Sequence, residues 1–168
     1  MKGLKWQKAI MHIHTPGSDD YDGDKKISIE NFYRKLIKSG IEIFGITDHH
    51  HIKWAYKVCN LNKERGSKIT IYPGVEISTS DSVHVLVYFD PTESLENMEK
   101  ILGKFEITES YYGSNARCNG TVSQVLDYCE KNQLVVCFAH VYLDSKGLFK
   151  KFDNTQVSLI QLKPSERI

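Results

Sequence analysis

Seven histidines and one glutamate carry the chemistry that can be read from this chain. His12 and His14 flank Ile13; His49, His50 and His51 follow Thr47-Asp48; His84 sits inside Val83-His84-Val85-Leu86-Val87; His140 follows Val135-Val136-Cys137-Phe138-Ala139. Glu76 closes Tyr72-Pro73-Gly74-Val75-Glu76. These residues fall where apolar, β-branched runs end or in the loops just beyond. Neutral imidazoles and a carboxylate suit Zn, Mn and Fe ions. Their convergence at strand ends is what a multinuclear metal site requires, and it points to a metal-dependent hydrolase.

Each residue also has a simpler reading. His12 and His14 are two apart on a strand, so both project from one face and can share an ion, or are merely two polar residues at a strand end. His49 closes the second strand as a candidate ligand, with Asp48 placed to orient an imidazole. His50 and His51 are read as solvent-side residues opening the next helix. Glu76 is either a bridging ligand or a turn residue. By period two, His84 shares a face with Leu86 and Tyr88, and His140 shares one with Phe138 and Val136. A lone histidine on an apolar strand is more often a hydrogen-bonded core residue than a ligand. The joint occurrence decides: five segments each bring a ligand-type side chain to one end of the sheet.

The elements that must position these groups alternate. Strands are expected at 8–14, 41–47, 69–77, 83–89, 134–141 and 157–162. Helices are expected from Ser28 to Ser39 with Gly40 as the stop, over 51–64, over 94–105, and from a Thr121 or Ser123 cap to Lys131. Residues 107–120 have no clean period. Near-continuously apolar strands separated by helices predict an α/β fold with a largely parallel sheet covered on both faces. In barrels of that kind the reacting groups lie at the C-terminal ends of the strands.

Composition excludes several other classes. The 168 residues make one domain with a sizeable core, and a net charge of +1 argues neither for nor against nucleic-acid binding. The basic clusters Lys2/Lys5/Lys8, Lys25/Lys26 and Lys146/Lys150/Lys151 read as solvated faces. Cys59, Cys118, Cys129 and Cys137 form no C-x-x-C pair, and no secretory or membrane-length apolar run is present, so reduced thiols and a cytoplasmic location are expected. The Asp19–Asp24 cluster fails as a calcium loop, because the required glycine and glutamate positions are Lys25 and Asn31. No Gly-rich phosphate loop appears.

Taken in order, 12–20 (His-Ile-His-Thr-Pro-Gly-Ser-Asp-Asp), Gly45-Ile46-Thr47-Asp48-His49, Pro73-Gly74-Val75-Glu76-Ile77, Val83-His84-Val85 and Ala139-His140 resemble the motifs of the PHP (polymerase and histidinol phosphatase) superfamily. The opening looks most like PHP domains that precede an AAA-type ATPase, a group linked to nucleic-acid processing. The resemblance implies a distorted (β/α)7-type barrel holding two or three divalent ions (Zn, Mn or Fe) and cleaving phosphoesters through a hydroxide bridging two ions. Carried over by position, His12 and His14 would hold the first ion and Glu76 would bridge to another, completed by His84 and His140. His49 would serve a further ion, and Asp20 stands where many members have a histidine.

The departure is at the C-terminus. Family members close the site with an Asp-x-His motif on the last strand, and none follows His140 here; Asp144 and Asp153 have no partnering histidine. The expectation is therefore a barrel incomplete at its C-terminal end, with residues 1–168 forming the N-terminal portion of a longer domain or protein. Such a chain is a metal-dependent phosphoesterase acting on nucleotides or nucleic acid, with no membrane partner. The alternative is a degenerate fold serving as a non-catalytic docking module for an ATPase domain or partner chain. Arg117 and Lys146, in loops near the expected mouth, are candidates for substrate-phosphate contacts, or ordinary surface cations.

Overall fold

The computed structural model describes residues 6–107 and 115–151. The expected strand at 157–162 and Asp153 lie outside the described residues. Ten elements follow in order: β1 (Ala9–Ile13), α1 (Ile29–Lys38), β2 (Ile43–His49), α2 (Lys53–Glu64), β3 (Thr70–Ser78), β4 (His84–Tyr88), α3 (Leu95–Gly103), α4 (Val122–Lys131), β5 (Val135–Phe138) and α5 (Leu148–Lys151).

Local chemistry explains most boundaries. Ser28 caps α1 by accepting the Asn31 N–H, Ser94 caps α3 through Asn97, and Thr121 forms a reciprocal capping box with Gln124 at the start of α4. The turn after α1 passes through Gly40 at φ +72°, a conformation glycine adopts without a Cβ clash. Helix α2 begins two residues later than its pattern suggested. His50 takes a left-handed φ of +51°, which turns the chain before a helix can start. The short α5 was not expected from the sequence.

The sheet order is β1-β2-β3-β4-β5. Strands β1, β2 and β3 run parallel, but β4 is antiparallel to both β3 and β5. The largely parallel sheet expected from the sequence holds for β1 to β3 and gives way to antiparallel pairing at this strand. The connection from β3 to β4 is a tight turn, in which the Thr79 N–H donates to the Val83 carbonyl at 2.9 Å and the Val83 N–H donates to Thr79 Oγ1 at 3.0 Å. A turn this short has no room for the crossover that a parallel neighbour needs. The reversal places His84, at the start of β4, beside the ends of β1, β2 and β3.

Alternation along the strands separates two faces. Phe44, Ile46, Ile71, Val75, Ile77, Val85 and Val87 point outward into the core built with helix residues such as Ala55, Val58, Met98, Leu102 and Val125. Burying each large apolar side chain contributes about 1.5–3 kcal/mol. The inner face carries a smaller apolar set, Leu86, Tyr88 and Ala139. Tyr88 donates a hydrogen bond to the Met11 carbonyl, reaching from β4 to β1 over the two strands between them. The rings of His12 and His140, from the two outer strands' ends, lie 5.2 Å apart. The five strands therefore curl into a half-barrel. Among the described residues no helix is long and apolar enough to cross a membrane.

Candidate metal centre

Glu76 is the hub of the concave face. Period two along β3 turns Tyr72, Gly74, Glu76 and Ser78 inward, and Glu76 is fully buried. Its Oε2 lies 3.3 Å from His12 Nε2, 3.3 Å from His14 Nε2 and 3.7 Å from His49 Nε2. Its Oε1 lies 3.2 Å from His140 Nε2 and is hydrogen-bonded to His84 Nδ1. The five imidazoles form a closed circuit around this carboxylate. Centroid separations run 5.0 Å (His12–His14), 5.0 Å (His14–His49), 5.2 Å (His49–His84), 5.8 Å (His84–His140) and 5.2 Å (His140–His12).

The rings are held by neighbours that the sequence reading passed over. His12 Nδ1 meets Thr47 Oγ1 at 2.7 Å, and His14 Nδ1 meets Ser18 Oγ at 3.0 Å, leaving both Nε2 atoms facing Glu76. Ser18 Oγ also accepts the His49 N–H at 3.1 Å and donates to Asp20 Oδ1 at 2.8 Å. His84 Nε2 contacts Ser78 Oγ at 3.0 Å. The available signal was polar residues set among apolar runs: Thr47 alternates inward with His49, and Ser18 follows His14 by one loop turn.

Two expectations are corrected. Asp48 orients no imidazole by a direct hydrogen bond among the described residues; it accepts the Thr15 N–H and the Thr15 hydroxyl, both at 2.5 Å. Adjacent residues of a strand face opposite ways, so Asp48 points away from the face that holds His49 and instead ties the first loop to β2. His50 and His51 are not solvent-side: His50 is buried and accepts the Ser78 N–H at 2.8 Å, and His51 is half-buried. His140 reaches the site by a route that parity did not predict. Alternation puts it on the outer face with Phe138 and Val136, whereas a left-handed φ of +49° swings it inward.

Electrostatics favour an ionised glutamate and act differently on the rings around it. Burial alone would raise Glu76, but the close imidazoles of His14 and His84, with His49 and His12 beside them, hold it well below the carboxylate range. Burial lowers His12 and His49, with Glu76 opposing. For His14 burial is outweighed by Glu76 and Asp20, so that ring is raised. Asp20, at the rim, lies 3.2 Å from His49 Nε2 and 3.5 Å from His14 Nδ1. Burial would raise its carboxyl, and Ser18, His14 and His49 pull it down instead.

Among the described residues, two sets of ligand-type atoms are close enough to serve one ion each: His12, Glu76 and His140, and His14, His49 and Glu76. The grouping differs from the expected pairing of His12 with His14 and of His84 with His140. His84 stands in neither triad and bridges Glu76 to Ser78. Glu76 Oε2 is buried and has no hydrogen-bond partner among the described residues, although three imidazole nitrogens surround it. An acceptor left this way in a low-dielectric site fits a cation, because a buried carboxylate oxygen without a partner is otherwise costly. Arg117 and Lys146 both line a cavity of about 130 Å³ that also touches His84.

The family model of the PHP domain matches residues 11–153, and the chain belongs to this family. Among solved structures, the fold is similar to the lesion-specific endonuclease PfuEndoQ from Pyrococcus furiosus, with a TM-score of 0.68 and 18% identity over 94% of this chain and 40% of that one. It is similar, too, to endonuclease Q in complex with a 27-mer duplex carrying an abasic lesion at the active site (TM-score 0.67, 17% identity, 94% and 40% coverage). A Bifidobacterium adolescentis protein assigned as a metal-dependent phosphoesterase matches with a TM-score of 0.61 and 15% identity, over 92% of this chain and 73% of that one. The chain thus spans 40% of the endonuclease chains it matches. A search of curated proteins found no match.

Proposed function

We propose that this chain carries the metal centre of a phosphoester hydrolase and that its substrate is a nucleic-acid phosphodiester. The observation that carries the reading is the buried Glu76 carboxylate, encircled by five imidazoles and with one oxygen left without a hydrogen bond. His12 and His140 would hold one ion and His14 and His49 the other, with Glu76 common to both and Asp20 at the rim beside the second. Divalent ions so placed would supply Lewis-acid activation of a phosphoryl group and of water, so no serine or cysteine nucleophile is required. Thr47 and Ser18 would keep the ring nitrogens of His12 and His14 aimed inward, and His84 would fix Glu76 from its other oxygen. Membership of the PHP family supports hydrolysis in general, and the two endonuclease structures that share the fold support a nucleic-acid substrate.

The test is turnover of bis(p-nitrophenyl) phosphate and of a DNA duplex, with Mn, Zn or Fe added back after chelation. Cleavage should need the added ion and vanish in Glu76→Gln with secondary structure intact. Cleavage that survives chelation and this substitution would refute the reading. A chain that takes up one ion or none and cleaves nothing would favour the docking module instead.

A further inference from the structure

We infer that the cavity bounded by Ser78, Ser82, His84, Arg117 and Lys146 holds a second phosphate of the substrate, adjoining the one presented to the histidine circuit, and that the substrate is therefore a polynucleotide strand. The inference rests on the phosphoester reading above and adds to it a second phosphate subsite. Both cations are anchored through the backbone of the site's own strands. The Cys118 N–H, one residue past Arg117, donates to the Ser78 carbonyl at 2.8 Å, and the His84 N–H donates to the Lys146 carbonyl at 3.3 Å. Arg117 and Lys146 line one hollow with Ser78 and Ser82, residue types that match a phosphate's charge and acceptor oxygens. At about 130 Å³ the hollow takes a phosphate, and it falls well short of the roughly 300–1,000 Å³ of pockets that enclose whole drug-sized ligands.

Its position relative to the metal centre selects the substrate. The His84 ring has Nδ1 on Glu76 and Nε2 on Ser78, so an imidazole's width separates the centre from the cavity. Two phosphates joined by one shared oxygen, as in a nucleoside diphosphate, sit too close together to occupy both places. Phosphates separated by a sugar span the ring. A small monoester has nothing to put in the second place.

Isothermal titration of the full chain, loaded with Mn and with phosphorothioate linkages to suppress turnover, should compare TpT with TpTpT. The second phosphate should tighten binding about tenfold, the range of one charge-assisted contact and well beyond the twofold statistical gain. In Arg117→Gln/Lys146→Gln that ratio should fall to the statistical factor while metal content stays unchanged. A parent ratio near two, or a tenfold ratio that survives in the double variant, would overturn the inference. So would an equal gain of ADP over AMP, which would assign the cavity to an anhydride phosphate. A parent chain that takes up no divalent ion fails the underlying metal reading, and metal analysis separates that failure from this one.

Discussion

Glu76 is shared by both triads, whereas His12 and His14 each belong to one. Metal content should therefore divide in a defined way. His12→Ala and His14→Ala should each lose one ion and keep the other, and Glu76→Gln should lose both, as read by elemental analysis of purified protein. Loss of both ions from either histidine variant would show that the triads are not separable. His50 supplies a different prediction. Burial pushes it down to about 4, the His49 and His84 charges act in the same direction, and accepting the Ser78 N–H needs a neutral ring. The folded value lies below the unfolded one, near 6.5, so as pH falls the unfolded chain protonates first. The contribution is complete above pH 6.5 and is lost between about 6.5 and 4, a change of about 3 kcal/mol. His50→Gln keeps an acceptor but does not titrate. Unfolding free energies of chelated parent and variant from urea titrations should diverge by that amount across the window, and parallel pH profiles would exclude His50 as the cause. Residue chemistry was legible where it followed chain parity, as for His12, His14, Glu76 and His84. It was illegible where a backbone left the strand, since left-handed φ values at His50 and His140 cannot be read from residue type.

At the level of elements, the capped helices were legible because Ser28, Ser94 and Thr121 announce their own starts. The direction of β4 was not, because an apolar strand reads the same either way and only the tight Thr79–Val83 turn reverses it. Curvature depends on a contact far apart in sequence, between Tyr88 of β4 and the Met11 carbonyl of β1. Gly45 makes room for it. A Cβ there would fall 2.6 Å from the Tyr88 ring and against the Met11 backbone. Tyr88→Phe should cost about 1 kcal/mol, the net worth of one hydrogen bond. Gly45→Ala should cost more, about 1–3 kcal/mol from overpacking against a backbone that cannot swing aside. Chemical denaturation of the two variants tests the order; a harmless Gly45→Ala would mean that the sheet does not close on Tyr88 as tightly as described.

For the whole molecule, the site gathers groups from every strand of the sheet: His12 on β1, His49 on β2, Glu76 on β3, His84 on β4 and His140 just past β5. Bound ions would therefore cross-link the half-barrel at one end, and binding free energy would appear as folding stability. At a free-ion concentration of one hundred times Kd the gain is about 2.7 kcal/mol per ion. For a chain of this size that corresponds to a rise in Tm of about 5–10 °C. The rise should grow with ion concentration, be halved in His12→Ala and vanish in Glu76→Gln. It should also depend on pH with a definite sign. His14 holds its proton above the ordinary histidine range because Glu76 and Asp20 outweigh burial, and that proton must leave before Nε2 can bind an ion. The metal-induced shift should therefore shrink as pH falls through the histidine range. A shift that is independent of pH, or that persists undiminished in Glu76→Gln, would mean that the ions stabilise the fold from somewhere other than the histidine circuit.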